Sequence, residues 1–313
     1  KILFGSVWKT DGQYRYTLLN PIAGYNLYDG LMPGLAVHNY SPPEARFMYA
    51  AAGMYGIGSK RFTGIGRLSY SMFPSGPFRR IDMFLSGAHF SMDRYRDSTG
   101  RTWFQAFTKI APGIRLELRN KDMRSSLYRY LQYTVYSIHE DHLSFRRDSV
   151  MNMEIVGLKK DHFVLHQLMA SWEDMRKLYP WRAEWKMEAT RDIARISFTG
   201  KYFFNYRKRG GVDLRFFAGK FFHLGGNTPA DPFLADRFAL NMTGPKGYED
   251  YSYSDYFFGR NAYEGINSQQ IMERDGYFKV RTDLLGSKVG KTDDWLVAMN
   301  LVMDIPDRLR SEE

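Results

Sequence analysis

Hydrophobic and polar residues alternate one by one over long stretches of this chain. In residues 60–72, Phe62, Leu68, Tyr70 and Met72 fall on one side and Arg61, Thr63, Arg67, Ser69 and Ser71 on the other. Successive side chains of a β-strand point to opposite faces, so a repeat of two predicts a strand. The same sorting sets Ala194, Ile196, Phe198, Tyr202, Phe204 and Tyr206 against Arg195, Ser197, Thr199, Lys201 and Asn205 in 192–206. It sets Trp181, Ala183, Trp185 and Met187 against Arg182, Glu184, Lys186 and Glu188 in 181–190, and Phe104, Ala106, Ile110, Ile114, Leu116 and Leu118 against Gln105, Lys109, Arg115 and Glu117 in 104–118. Looser alternation covers 31–40, 46–57, 79–92, 125–137, 149–158, 162–173, 212–222, 276–285 and 293–303. The pattern predicts about thirteen strands and no long amphipathic helix.

Turn-forming residues punctuate these runs: Ser41-Pro-Pro43, Ile57-Gly-Ser59, Pro74-Ser-Gly-Pro77, Asp97-Ser-Thr-Gly100 and Lys208-Arg-Gly-Gly211. Short links between long strands predict an antiparallel up-and-down meander. The exception is 223–274, rich in Gly, Asn, Asp and Tyr, with Tyr248-Glu-Asp-Tyr-Ser-Tyr-Ser-Asp-Tyr-Phe-Phe258 at its centre. Residues 1–30 read as an entry segment, 31–303 as one domain and 304–313 as a tail.

Strands of soluble sheets average about five or six residues, whereas these run to about ten or more, the length a tilted membrane-crossing strand needs. Aromatic residues make up 16 % of the chain, with 22 Tyr and 23 Phe, many at strand ends, where girdled barrels carry them. No window approaches the roughly 18 apolar residues of a membrane-crossing helix. In hydrocarbon every backbone donor and acceptor must be paired inside the protein, so a sheet spans only if it closes. The expected fold is therefore all-β, an antiparallel up-and-down transmembrane β-barrel in a bacterial outer membrane. If 31–40 runs from periplasm to exterior, the strand count places the 223–274 loop outside and the turn at 207–211 in the periplasm.

Charge changes the picture little. The net charge is +10, but Lys and Arg are spread through strands and turns rather than gathered on one face, which argues against a nucleic-acid partner. Arg and Lys in a lumen, or facing anionic lipopolysaccharide, account for them equally well. There is no Cys, which excludes disulfide scaffolds, thiolate zinc sites and cysteine nucleophiles. The run Ser137-Ile-His-Glu-Asp-His142 holds metal-ligand residue types, yet its histidines are three apart, not in the H-E-x-x-H spacing that shares a helix face. It reads as a solvated turn. His38, His89, His162, His166 and His223 are dispersed. Gly53-Met-Tyr-Gly-Ile-Gly58 lacks the spacing and the following helix of a phosphate-binding loop. No catalytic, cofactor or metal residue is expected. The candidate functional residues are Tyr248, Tyr251, Tyr253, Tyr256, Phe257, Phe258 and Arg260, as a partner-binding surface or as a plug folded into the lumen.

The segments Gly24-Tyr-Asn-Leu-Tyr-Asp-Gly30, Leu31-Met-Pro-Gly-Leu35 and Met54-Tyr-Gly-Ile-Gly-Ser-Lys60, with Phe257-Phe-Gly-Arg260, Ser268-Gln-Gln270 and Asp275-Gly276, resemble the C-terminal barrel attached to gluzincin-type aminopeptidase domains in Bacteroidetes outer-membrane proteins, and more distantly surface-antigen barrels of the outer-membrane assembly superfamily. The resemblance spans most of 20–303 and implies about sixteen strands. The zinc motif of the peptidase is absent and Asp304–Glu313 lacks the final aromatic-ended strand of such barrels, so peptidase activity does not carry over. An odd count of thirteen does not close an even barrel, and closing strands are expected beyond residue 313 or in segments not recognised as strands. The expected function is an anchor or scaffold for a periplasmic domain or an envelope assembly. Two alternatives remain: a porin-like conduit for anionic solutes, and a soluble glycan-binding β-protein using Trp103, Trp181 and Trp185 as stacking platforms.

Overall fold

The computed structural model describes residues 2–4, 16–40, 44–122, 124–148, 153–206, 210–224, 238–245, 249–254, 256–259, 273–278 and 290–303. It is all-β, with no α-helix among the described residues. Twelve strands form one antiparallel meander: β2 (Thr17–Asn26), β3 (Gly30–His38), β4 (Phe47–Gly56), β5 (Arg61–Met72), β6 (Phe78–Arg96), β7 (Thr102–Leu118), β8 (Leu127–Asp148), β9 (Met153–Asp174), β10 (Trp181–Ala189), β11 (Ile193–Tyr206), β12 (Gly210–His223) and β15 (Trp295–Met303). A thirteenth, β1 (Ile2–Phe4), joins the outer edge of β2 in parallel. Two short strands, β13 (Leu240–Asn241) and β14 (Lys291–Thr292), pair with each other inside the β12–β15 connection.

Several expectations need correction. Thr17–Asn26 lies within the segment read as an entry, yet it is a strand that pairs with β3 from Leu18 to Asn26. The runs 149–158 and 162–173 are one strand: Lys159, Lys160 and Asp161 stay in register with His142, Asp141 and Glu140. Ser137–His142 is therefore mid-strand, not a turn. In the predicted strand 276–285, Gly276–Phe278 are irregular and 279–285 lie outside the described residues. Merging two runs reverses every later strand, so β3 and β12 run in opposite directions. The long 224–294 connection then lies at the same end as the turns 27–29, 57–60, 97–101 and 190–192, whereas the predicted parity put it at the opposite end.

The two faces of the sheet are chemically inverted relative to a soluble protein. One face buries polar side chains: Ser69, Ser71, Asp82, Glu117, Gln132, Thr134, Gln167, Ser171, Glu188, Arg195, Ser197 and Arg215. These groups pair laterally, as in Ser71 Oγ to Asp82 at 2.6 Å, Arg115 Nε to the Gln132 oxygen at 2.8 Å and Gln167 Nε2 to Glu188 at 2.7 Å. The other face leaves large apolar residues uncovered. A single register row across β6 to β11 reads Met83, Ile114, Tyr133, Leu168, Met187, Ile196, and the next strands add Phe216, Val297, Met299 and Leu301. Exposed aromatic residues cluster at both ends of this apolar surface. Tyr55 packs edge-on to Phe62 at 5.5 Å at the end carrying the long connection, and Tyr179 stacks on Tyr202 at 6.4 Å at the other.

Candidate functional site

The buried face encloses part of the long connection between β12 and β15. Its described parts are ordered by their own polar side chains. Asn241 Oδ1 accepts from the Thr243 amide at 3.0 Å, and Asp250 accepts from the Ser252 amide at 3.0 Å, the Ser252 hydroxyl at 2.6 Å and the Ser254 amide at 3.0 Å. Such side-chain caps replace the ladder bonds that a turn lacks. Gly276 is required sterically, because a Cβ there would meet the Met242 carbonyl oxygen at 2.4 Å. Tyr253 has φ +46°, a conformation that costs a bulky residue about 1–3 kcal/mol and persists only where contacts hold it.

Those contacts are extensive. Tyr253 stacks on Phe107 of β7 with centroids 4.4 Å apart and its hydroxyl donates to Glu140 of β8. Tyr251 donates to Glu188 of β10 and accepts from Arg195 of β11 at 3.0 Å. Tyr256 packs edge-on to Phe107 at 4.8 Å, and its carbonyl accepts from Asn26 of β2 at 3.2 Å. Lys109 of β7 donates to the carbonyls of Ser252 and Tyr253, both at 2.8 Å. Asp275 pairs with Arg195, and Glu273 with Lys201 of β11. At the edge of β2, the Tyr25 amide donates to the Phe257 carbonyl at 3.0 Å and its carbonyl accepts from Gly259 at 2.8 Å. Strands from β2 to β12 thus touch one segment on one face, which requires the sheet to wrap around it.

Two apolar clusters seal the contact. Met32, Met54, Phe90, Met92, Phe107 and Ile138 surround Tyr253 and Tyr256, while Leu165, Ile193, Phe217, Phe221 and Ala298 surround Leu240 and Tyr251. Among the sequence-nominated residues, Tyr251, Tyr253 and Tyr256 are buried, Phe257 packs against the first cluster and Phe258 is exposed. Tyr248 and Arg260 lie outside the described residues. Composition flagged the tyrosines; their partners Glu140, Glu188, Arg195 and Lys109 are far away in sequence and gave no signal of this contact.

The segment carries its own compensated charges. Burial alone would raise the Asp250 carboxyl, but Arg274 at 2.6 Å and the Ser252 hydrogen bond outweigh it and hold Asp250 well below the usual carboxylate range. Burial pushes the Tyr251 phenol far above its ordinary value, so it remains a neutral donor. Lys291 completes the set, reaching Glu249 at 2.5 Å.

Beside Tyr253, β8 and β9 bring together Glu140, His142 and Asp161, each with a ligand-type atom within 4.8 Å of the others. His142 Nε2 lies 3.0 Å from Glu140 Oε1. The spacing of these residues does not suit a helix face. In a strand, residues two apart share a face, which is how Glu140 and His142 come to point the same way. On the opposite face His89, Thr108, His139 and His162 form one register row, with the His139 and His162 rings 4.3 Å apart.

Comparison with protein-family models, curated proteins and solved structures finds no match to this chain.

Proposed function

We propose that this protein is a plugged transmembrane β-barrel of an outer membrane that serves as an anchor or scaffold, not as an open conduit. The observation that carries the reading is the inverted sheet: a continuous apolar face is left exposed while the opposing face buries Glu, Asp, Arg, Gln and Ser. A soluble monomer rarely shows a contiguous apolar patch beyond a few hundred Å², whereas in hydrocarbon a continuous apolar face is the expected exterior.

Further features support this reading. Exposed aromatic residues sit at both ends of the apolar surface, as at two membrane interfaces. On β9, the outward row from His162 to Asp174 holds Val164, Leu168, Ala170 and Trp172, together with His166, whose Nδ1 lies 2.7 Å from the Tyr133 hydroxyl; at about 3.3 Å per residue and a tilt of about 40°, that stretch is roughly 30 Å tall. Twelve antiparallel strands make β2 and β15 antiparallel to each other, and the outer edge of β2 is taken by β1 at Thr17–Leu19 and by Phe257 and Gly259 at Tyr25, so that a closed sheet would have these segments, not β2 alone, at its seam. The enclosed loop segment fills the interior near one end, which favours anchoring over passage. A gluzincin-associated Bacteroidetes barrel, attached to a periplasmic domain and surrounded by lipid and lipopolysaccharide, fits the proposal and stands on the short-motif resemblance alone.

The test is heat modifiability. Protein folded in detergent is run unheated and boiled on a denaturing gel, alongside protein handled without detergent. A detergent-dependent band that shifts on boiling supports the membrane barrel; a detergent-free monomer with no shift sinks it. In planar bilayers the protein should be silent, and steady anion-selective conductance would replace the anchor by a porin.

A further inference from the structure

We propose that Glu140, His142 and Asp161 bind one divalent transition-metal cation, with the donor preference of zinc, and that the ion fastens the loop segment to the sheet through Tyr253. Glu140 and Asp161 are directly opposed in the β8–β9 register. Like charges at opposed positions destabilise a sheet, and a cation between them reverses that sign. His142, two residues on from Glu140, adds an imidazole on the same face, which selects zinc-type ions over calcium or magnesium, whose preferred ligands are all oxygen.

The distances suit such an ion. Ligands about 2.1 Å from a tetrahedral zinc lie about 3.4 Å from one another, and His142 Nε2 and Glu140 Oε1 are already 3.0 Å apart. Asp161 is exposed and Glu140 is only 4 % exposed, so the ion would enter from the Asp161 side, with water filling the remaining position as in three-ligand zinc sites. The groups facing the cluster are the Tyr253 hydroxyl, which occupies the second oxygen of Glu140, and Lys159, opposed to His142 across the ladder. A metal on one Glu140 oxygen fixes the carboxylate whose other oxygen holds Tyr253, in the way that second-shell hydrogen bonds orient ligands elsewhere. Sheet, ion and loop then form one chain of contacts. None of these steps depends on what surrounds the outer face, so the proposal stands or falls separately from the membrane reading.

The experiment is calorimetric titration of Zn²⁺ into the full chain folded in detergent, with Asp161→Asn, His142→Ala and, as a control on the opposite face, His139→Ala. Because Asp161 is exposed, D161N should fold, which an unheated gel band verifies. Saturable one-to-one binding that weakens more than tenfold in D161N and H142A but not in H139A is expected. Zn²⁺ should also slow tryptic cleavage between residues 224 and 294 in the unsubstituted protein and not in Tyr253→Phe. Absence of saturable binding, equal affinity in all variants, or loss only in H139A overturns the site; binding without slower cleavage overturns the fastening.

Discussion

Replacing Leu168 by Arg separates an apolar face that meets lipid from one that meets water. Leu168 is 38 % exposed, is flanked in register by Tyr133 and Met187, and lies midway between the polar positions His162 and Asp174 of the same outward row. On a soluble sheet, a surface substitution at such a position changes stability by about 0.5 kcal/mol or less. At the middle of a bilayer an Arg on the outer face of a barrel costs about 2–4 kcal/mol, which multiplies the unfolded-to-folded ratio roughly 30- to 800-fold. Removing the leucine forfeits its own transfer from water to hydrocarbon, about 1.5–3 kcal/mol for a full Leu side chain, so the cost of the Arg is read against Leu168→Ala. The assay is reversible urea unfolding of vesicle-inserted protein, read by gel mobility, for L168R and for Leu168→Ala. A cost of L168R below about 0.5 kcal/mol beyond that of L168A, at a position this central, would refute the lipid-facing assignment.

Tyr253→Phe keeps the ring stack on Phe107 but strips Glu140 of its hydroxyl donor, and it should cost about 1–3 kcal/mol, measured as earlier thermal loss of protease resistance in the loop segment with the sheet still intact on a gel. Arg195→Met leaves Glu188 and Asp275 buried without their cation, a loss of about 3–5 kcal/mol. It should release the segment and give measurable conductance in planar bilayers; silent, protease-resistant R195M would contradict the plug. Asp250 titrates lower in the folded protein than in the unfolded chain, so its stabilising contribution is complete above the unfolded value of about 4 and is lost as pH falls further. Proteolysis of the segment by an acid-active protease should accelerate below about pH 4 and, in Asp250→Asn, should already be fast at pH 7 with no such step.

The sequence made the strands legible where the two faces differ. Residues 104–118 and 192–206 alternate apolar with charged or hydroxylated residues, and they match β7 and β11 to within two residues. Legibility failed where both faces share one character. In β2, Leu18 and Ile22 face inward while Leu19 and Pro21 face outward, so no alternation marks the strand. At the far ends of β8 and β9 both faces are polar: His139, Asp141 and Lys160 look out and Glu140, His142 and Asp161 look in. A run of charges in a strand that projects past the apolar zone is indistinguishable, by period, from a turn. The loop segment was visible by its tyrosines alone, because its partners are scattered over strands from β2 to β15, a few to each.

The placement of the enclosed segment between β12 and β15 also sets an order of assembly. About 70 residues separate His223 from Trp295, against about four between β4 and β5, and closing the longer loop costs roughly 2.5 kcal/mol more chain entropy. Hairpins from β2 to β12 can zip locally and fast, but β15 can reach β12 only after this long excursion has been confined. A segment that docks on the strands it will later be sealed behind shortens the effective excursion, acting as an internal template for the last pairing. In a variant keeping Trp295 as the single tryptophan, its fluorescence change should lag the gain of sheet signal during refolding, and lag further in R195M; simultaneous changes in both would remove the segment from the folding route.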